Sequence, residues 1–136
     1  MNTLRVLLLA FAMPIALPAA AADAAFDANL ALARQNLATV PGAAYDRALG
    51  EAIMKLPAVA EAMAACQRKH PEDQNLQGYF HFTTATAYRV VLAPASPFAT
   101  CLGAALEGQS LPAPPSLPWF NHFTFRYTAP ADGAAP

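Results

Sequence analysis

The side chains able to do chemistry in this 136-residue chain are few and far apart. There are three histidines, His70, His81 and His122, and two cysteines, Cys66 and Cys101. An imidazole can ligate a metal ion or move a proton near neutral pH. His81 and His122 fall in segments of alternating polarity, each on the face opposite the main phenylalanines. If those segments pair as neighbouring strands, both rings share one sheet face, as a metal site would require. Scattered strand histidines are more often plain surface residues, and His70 stands in a polar loop. A nucleophilic site needs a hydroxyl or thiol, a base and an orienting acid held together. Ser96, His122 and Glu107 are of the right types, but no G-x-S-x-G or comparable context frames them. Glu72 and Asp73 are adjacent in a loop, where solvation accounts for them. No Gly-rich phosphate loop occurs. The expectation is a non-enzymatic protein with no catalytic residue, no metal ligand and no cofactor. The competing reading is a small secreted enzyme or metal-binding protein that uses His81 and His122.

What the cysteines do depends on where the chain works. Residues 1–5 carry one positive charge, residues 6–17 (VLLLAFAMPIAL) are apolar, and Pro18 leads into four alanines. Ala20, Ala21 and Ala22 fit a small-x-small cleavage site, which completes the three-part form of a secretory signal peptide over residues 1–22. The apolar run is short for a membrane span, which takes about 20 residues. An uncleaved N-terminal anchor is the other reading of the same segment. The rest of the chain has no apolar run long enough to span, so export to the periplasm is expected. Thiols oxidise there, and Cys66 and Cys101 allow only one pairing, so a Cys66–Cys101 disulfide is expected. It would close a loop of about 35 residues and contribute on the order of 3–4 kcal/mol in the chain-entropy account. Neither a CxxC pair nor a close Cys/His cluster supports a redox or metal role for them.

Loss of residues 1–22 takes one of 8 basic residues and none of 9 acidic ones, leaving a formal charge of −2. Such a balance gives no electrostatic footprint for nucleic acid or anionic lipid. About 114 residues then remain, enough for one domain with one modest core.

The elements that must position these groups change type midway. Residues 24–38 read as a helix, with Phe26, Leu30, Ala33 and Leu37 at helical spacing, and Pro41-Gly42 breaks it. A second helix begins near Ala43 with Tyr45, Leu49, Ile53 and Leu56 inward. Asp46, Arg47, Glu51 and Lys55 form its wet side, and Pro57 ends it. Residues 58–67 form a third, with Val59, Met63 and Cys66 on one face. These helices make up a segment over residues 23–67, and residues 67–77 are a polar loop. Residues 78–84 (GYFHFTT) alternate as a strand, and residues 88–93 (YRVVLA) form a second, with the turn near residues 85–87. Ser96 and Pro97 are N-cap and first position of a fourth helix. Phe98, Cys101, Leu102, Ala105 and Leu106 face inward, and Gly108 stops it. Four prolines between residues 112 and 118 forbid regular structure. Residues 119–127 alternate again, with Trp119, Asn121, Phe123, Phe125 and Tyr127 on one face and Phe120, His122, Thr124 and Arg126 on the other. The aromatic face should bury on the helix layer. Trp119, Phe120 and Asn121 also suit a ligand platform, although a core aromatic at strand entry is the simpler reading. Residues 129–136 are disordered by composition.

Taken in order, Gly78 opening a strand, an extended second strand, SPFATCLGAAL (96–106), LPAPP (111–115) and a last strand ending FTFRY (123–127) resemble the C-terminal domain of TonB-type proteins. The resemblance is closest to the AgmX/PglI-type branch. There a cysteine commonly sits in the helix before a proline-bearing turn, and the last strand has a pf-x-f pattern. It covers residues 66–127, roughly half of the processed chain. What it implies is a small two-layer α+β unit over residues 68–128. An antiparallel sheet in strand–strand–helix–strand order would pack with the N-terminal helices as one domain. It further implies a non-catalytic periplasmic module that takes an extended peptide of an envelope protein along a sheet edge. The edge of residues 119–127, with Trp119, Asn121, Phe123, Phe125 and Tyr127, is the expected place. Energy transducers of this group keep an N-terminal helix in the inner membrane before a long proline-rich linker. Here a compact helical segment takes that place, so the expectation is a free-standing accessory protein.

Overall fold

A central strand with large apolar residues on both faces decides how the elements pack. The computed structural model describes residues 19–129, so most of the expected signal peptide and the expected tail lie outside the described residues. The elements run α1 (Ala19–Leu37), α2 (Val40–Met54), α3 (Pro57–Lys69), β1 (Gln74–Phe82), β2 (Tyr88–Ala93), α4 (Pro97–Leu106) and β3 (Trp119–Tyr127). The class is α+β with an antiparallel three-stranded sheet preceded by helices, as expected. The strand order is β2-β1-β3, so the last strand crosses to the far side of β1.

Phe80 and Phe82 of β1 point to one face, where they pack with Tyr45, Leu49, Phe98, Leu102 and Trp119 from α2, α4 and β3. Burying each large apolar side chain of this kind contributes roughly 1.5–3 kcal/mol. Tyr79 points to the other face, and there it meets Leu30 and Ala33 of α1, with Phe26, Val91 and Phe120 around them. A helix layer on one face therefore describes α2–α4, while α1 covers the opposite face. The apolar stripe foreseen on α1 is the surface it buries. Its polar flanks tie it down. Asn29 Nδ2 donates to Tyr79 Oη at 3.0 Å, Arg34 Nη2 to Gln77 Oε1 at 3.1 Å and Asn36 Nδ2 to the Phe120 carbonyl at 2.9 Å.

Local chemistry sets most boundaries. Thr39 caps α2 by accepting from Gly42 N at 3.1 Å, so Pro41 and Gly42 belong to its first turn rather than to a break. Pro57 occupies the first turn of α3. Ser96 Oγ accepts from Ala99 N at 3.0 Å to cap α4. The chain leaves α4 at Glu107, whose backbone is extended, and Gly108 follows with φ +74°, which glycine adopts at little steric cost. The hairpin turn spans residues 83–87. Thr83 N donates to the Ala87 carbonyl at 3.0 Å, and Thr84 Oγ1 accepts from Ala87 N at 2.9 Å. One expectation is corrected. The segment expected as a loop over residues 67–77 supplies the last residues of α3 and the first four of β1. Leu76 is buried there, and Gln74 pairs with Tyr127.

Cys66 and Cys101 form the disulfide, with Cα atoms 5.8 Å apart, and it joins α3 to α4. No helix of the described residues is long and apolar enough to cross a membrane.

Candidate functional site

Residues with the expected partner-binding side chains are mostly inward. Trp119 is 5% exposed and Asn121 4%. The Trp119 ring meets Tyr45 edge-on at 5.9 Å, Phe123 meets Phe80 edge-on at 5.6 Å, and Phe125 lies 5.3 Å from Phe98. Tyr127 stands half-buried at the end of β3, opposite Gln74. The aromatic face is thus core, as its alternation indicated, and Trp119 and Asn121 form no open platform. Asn121 instead centres a buried polar chain. Its Nδ2 donates to Asp46 Oδ1 at 2.9 Å and to the His122 carbonyl at 3.2 Å, and its Oδ1 lies 3.5 Å from Trp119 Nε1.

His81 and His122 share the sheet face under α1, on adjacent strands. His81 is opposite Phe120 in register and His122 opposite Tyr79. The His81 ring lies flat on Phe120, with centroids 4.3 Å apart and planes at 9°. His122 Nε2 is buried and has no hydrogen-bond partner. Burial holds the His122 imidazole below its ordinary pKa, the Arg34 guanidinium adds to this, and the Asp46 carboxylate opposes it. Among the described residues no three His, Cys, Asp or Glu side chains gather as metal ligands would. His70 caps the end of α3 and meets Phe98 edge-on at 6.4 Å.

Ser96, Glu107 and His122 do not assemble. Ser96 and Glu107 flank opposite ends of α4, while His122 lies on the α1 face of the sheet. Ser96 is a cap, and Glu107 Oε1 accepts from Val90 N at 3.0 Å. Asp73 Oδ1 accepts from Ala129 N at 2.8 Å and so fastens the chain after β3. Tyr45 Oη donates to the Pro112 carbonyl at 2.8 Å, which pins the proline segment, and burial raises the Tyr45 pKa well above its ordinary value.

What is left open is backbone. In an antiparallel ladder a residue's N–H and C=O point the same way, and the direction alternates along the strand. Val90 is bonded by Glu107 from outside the sheet, so Tyr88, Val90 and Leu92 turn outward on β2. Phe120 is bonded by Asn36 from outside, so Phe120, His122, Thr124 and Arg126 turn outward on β3. Each edge has a cleft beside it. One of about 430 Å³ separates β2 from α4, and one of about 280 Å³ separates β3 from α2. A wider cleft of about 890 Å³ lies between the start of α1 and the sheet, and its polar lining residues, among them Asp23, Asn75 and Arg126, are all exposed.

Sequence reasoning did not foresee the hydrogen bonds that Asp46, Asn36 and Glu107 make to the strands. Their positions on helices or at a helix end carry no local mark of the strand groups that reach them. No family model, curated protein or solved structure matches the chain.

Proposed function

We propose that the chain is an exported, non-catalytic interaction module that receives an extended segment of an envelope protein along an open edge of its sheet. The observation that carries this reading is the strand order β2-β1-β3, in which both outer strands turn a row of backbone groups away from the sheet. An added strand satisfies such groups directly. The likeness of residues 66–127 to TonB-type C-terminal domains supports the same mode of binding, with the periplasm as its place. The Cys66–Cys101 disulfide is compatible with that oxidising compartment. Most large aromatic side chains are spent on the core, so recognition falls to backbone pairing and to the clefts that flank each edge.

Photo-crosslinking in the intact envelope tests this. A photoreactive side chain is placed at Arg89 on β2, at Thr124 on β3, and at Glu61 on α3 as a control, all three exposed. One dominant protein adduct from an edge position and none from Glu61 is the expected result. The same adducts from all three positions would sink the reading.

A further inference from the structure

We propose that the cleft between β2 and α4 takes an extended partner segment carrying a basic side chain, added as a fourth strand outside β2 with the basic group on Glu107. This rests on the sheet-edge reading and specifies which edge is used and what chemistry it accepts.

The two edges differ in how their outward groups are held. On β3 the outward carbonyls of Phe120 and His122 already accept from the side-chain amides of Asn36 and Asn121. Displacing them would loosen α1 and strip a partner from buried Asn121, which is costly. Among the described residues, the one hydrogen bond to an outward backbone group of β2 is that between Val90 N and Glu107 Oε1, 3.0 Å long. Glu107 is exposed, so its carboxylate returns to water at little cost. It stands where the carbonyl of a docking strand would stand. An incoming strand replaces one acceptor with another and also gains Tyr88 and Leu92.

The cleft has room for the side chains of that strand. Its floor is Val90 and Leu92, and its helical wall presents Ala99, Thr100 and Gly103. A Cβ built on Gly103 meets no heavy atom within 4 Å. Strand and helix are held at a fixed spacing. Tyr88 Oη donates to the Leu106 carbonyl at 2.7 Å and accepts from Gln109 N at 2.9 Å, while the Cys66–Cys101 bond fixes α4 to α3. A preformed cleft binds without the cost of ordering itself.

Charge selects the occupant. Glu107 is the sole charged residue lining the cleft, and among the described residues it pairs with no cation, the one ion pair being Lys55–Glu51. Once displaced from Val90, its carboxylate favours a Lys or Arg of the partner and disfavours Asp or Glu.

The probe is a library of random ten-residue peptides displayed on phage, selected against the full-length protein. Selected peptides are synthesised for titration and amide hydrogen exchange. The proposal expects a shared Lys or Arg within an alternating apolar pattern, and exchange slowed at least tenfold at Tyr88, Val90 or Leu92. Glu107→Gln should weaken the basic peptide about tenfold, yet leave its norleucine analogue unchanged. Glu107→Lys should invert the charge preference, and as an exposed substitution it leaves the fold readable. A selection with no basic preference overturns the proposal, as does a Glu107→Gln variant that binds both peptides alike. Protection at Thr124 and Arg126 instead overturns it while the sheet-edge reading stands. No peptide captured at either edge overturns both. Protection of β2 that grows with protein concentration, without peptide, makes a second copy the occupant and overturns the proposal too.

Discussion

Asn121 and Asp46, 75 positions apart in the chain, meet at 2.9 Å where β3 passes α2. The amide is buried and the carboxylate half-buried, so the pair is a polar seam through an otherwise apolar junction. A buried donor stripped of its acceptor loses the desolvation cost it had recovered. Asp46→Ala is therefore expected to lower stability by roughly 1–3 kcal/mol, read as a shifted urea midpoint. A midpoint unchanged from the parent protein would mean that water replaces the carboxylate freely.

His122 sets a pH dependence with a definite sign. Its ring is half-buried with Nε2 enclosed and unpartnered, and its pKa lies below the ordinary 6.5. The unfolded chain therefore binds the proton more readily than the folded one. Stability from this group is complete above about pH 6.5 and falls as the pH drops below it, down to the lowered folded value. Urea midpoints measured from pH 8 to pH 5 should fall more steeply for the parent protein than for His122→Gln. Parallel curves would show that the ring protonates without leaving its place.

How much of this was readable beforehand follows from which residues act locally. Ser96, Pro97 and Gly108 mark α4 because a cap, a fixed φ and a glycine just past the end are properties of the nearby backbone. The alternation from Trp119 to Tyr127 marks β3 and its inward face for the same reason. The first half of β1 is not marked, since Gln74, Asn75 and Gln77 contribute backbone pairing where the eye looks for apolar alternation. Asp46 reads as a wet-side residue because helical spacing cannot announce a strand that arrives 75 residues later. That α1 covers the face of Tyr79 while α2–α4 cover that of Phe80 is likewise a tertiary choice. The edges were foreseeable as a class. Which outward groups are already held depends on Asn36, Asn121 and Glu107, and only their placement reveals it.

The Cys66–Cys101 bond joins α3 to α4, whose Val59, Phe98 and Leu102 belong to the same buried core. Closing a loop of 35 residues is worth about 3–4 kcal/mol in the chain-entropy account. A Cys66→Ala, Cys101→Ala double variant should melt roughly 10–25 °C lower. Mass spectrometry of the protein taken from its native cells without reductant should find the linked peptides. Free thiols in that sample would remove both the bond and the argument for an oxidising compartment.

Gly78 and Gly103 should respond to alanine with opposite signs. Gly78 sits mid-strand in β1, between Leu92 of β2 and Phe123 of β3. A Cβ there falls inside van der Waals contact of the Val91 carbonyl and against Leu92 Cα, both backbone. β2 cannot step aside freely, because Val91 is in register with Tyr79 and Tyr88 is fastened to the end of α4. Gly78→Ala should cost roughly 2–4 kcal/mol and speed amide exchange along β2. Gly103 lies inside α4 with open space where its Cβ would go. Gly103→Ala should add about 0.5–1 kcal/mol, because alanine gives up less backbone entropy in a helix. Thermal melts of the two variants beside the parent protein decide the matter. A loss at both positions would mean that the α4 wall is more tightly packed than its contacts indicate, and a gain at both would mean that β2 yields to the added methyl group.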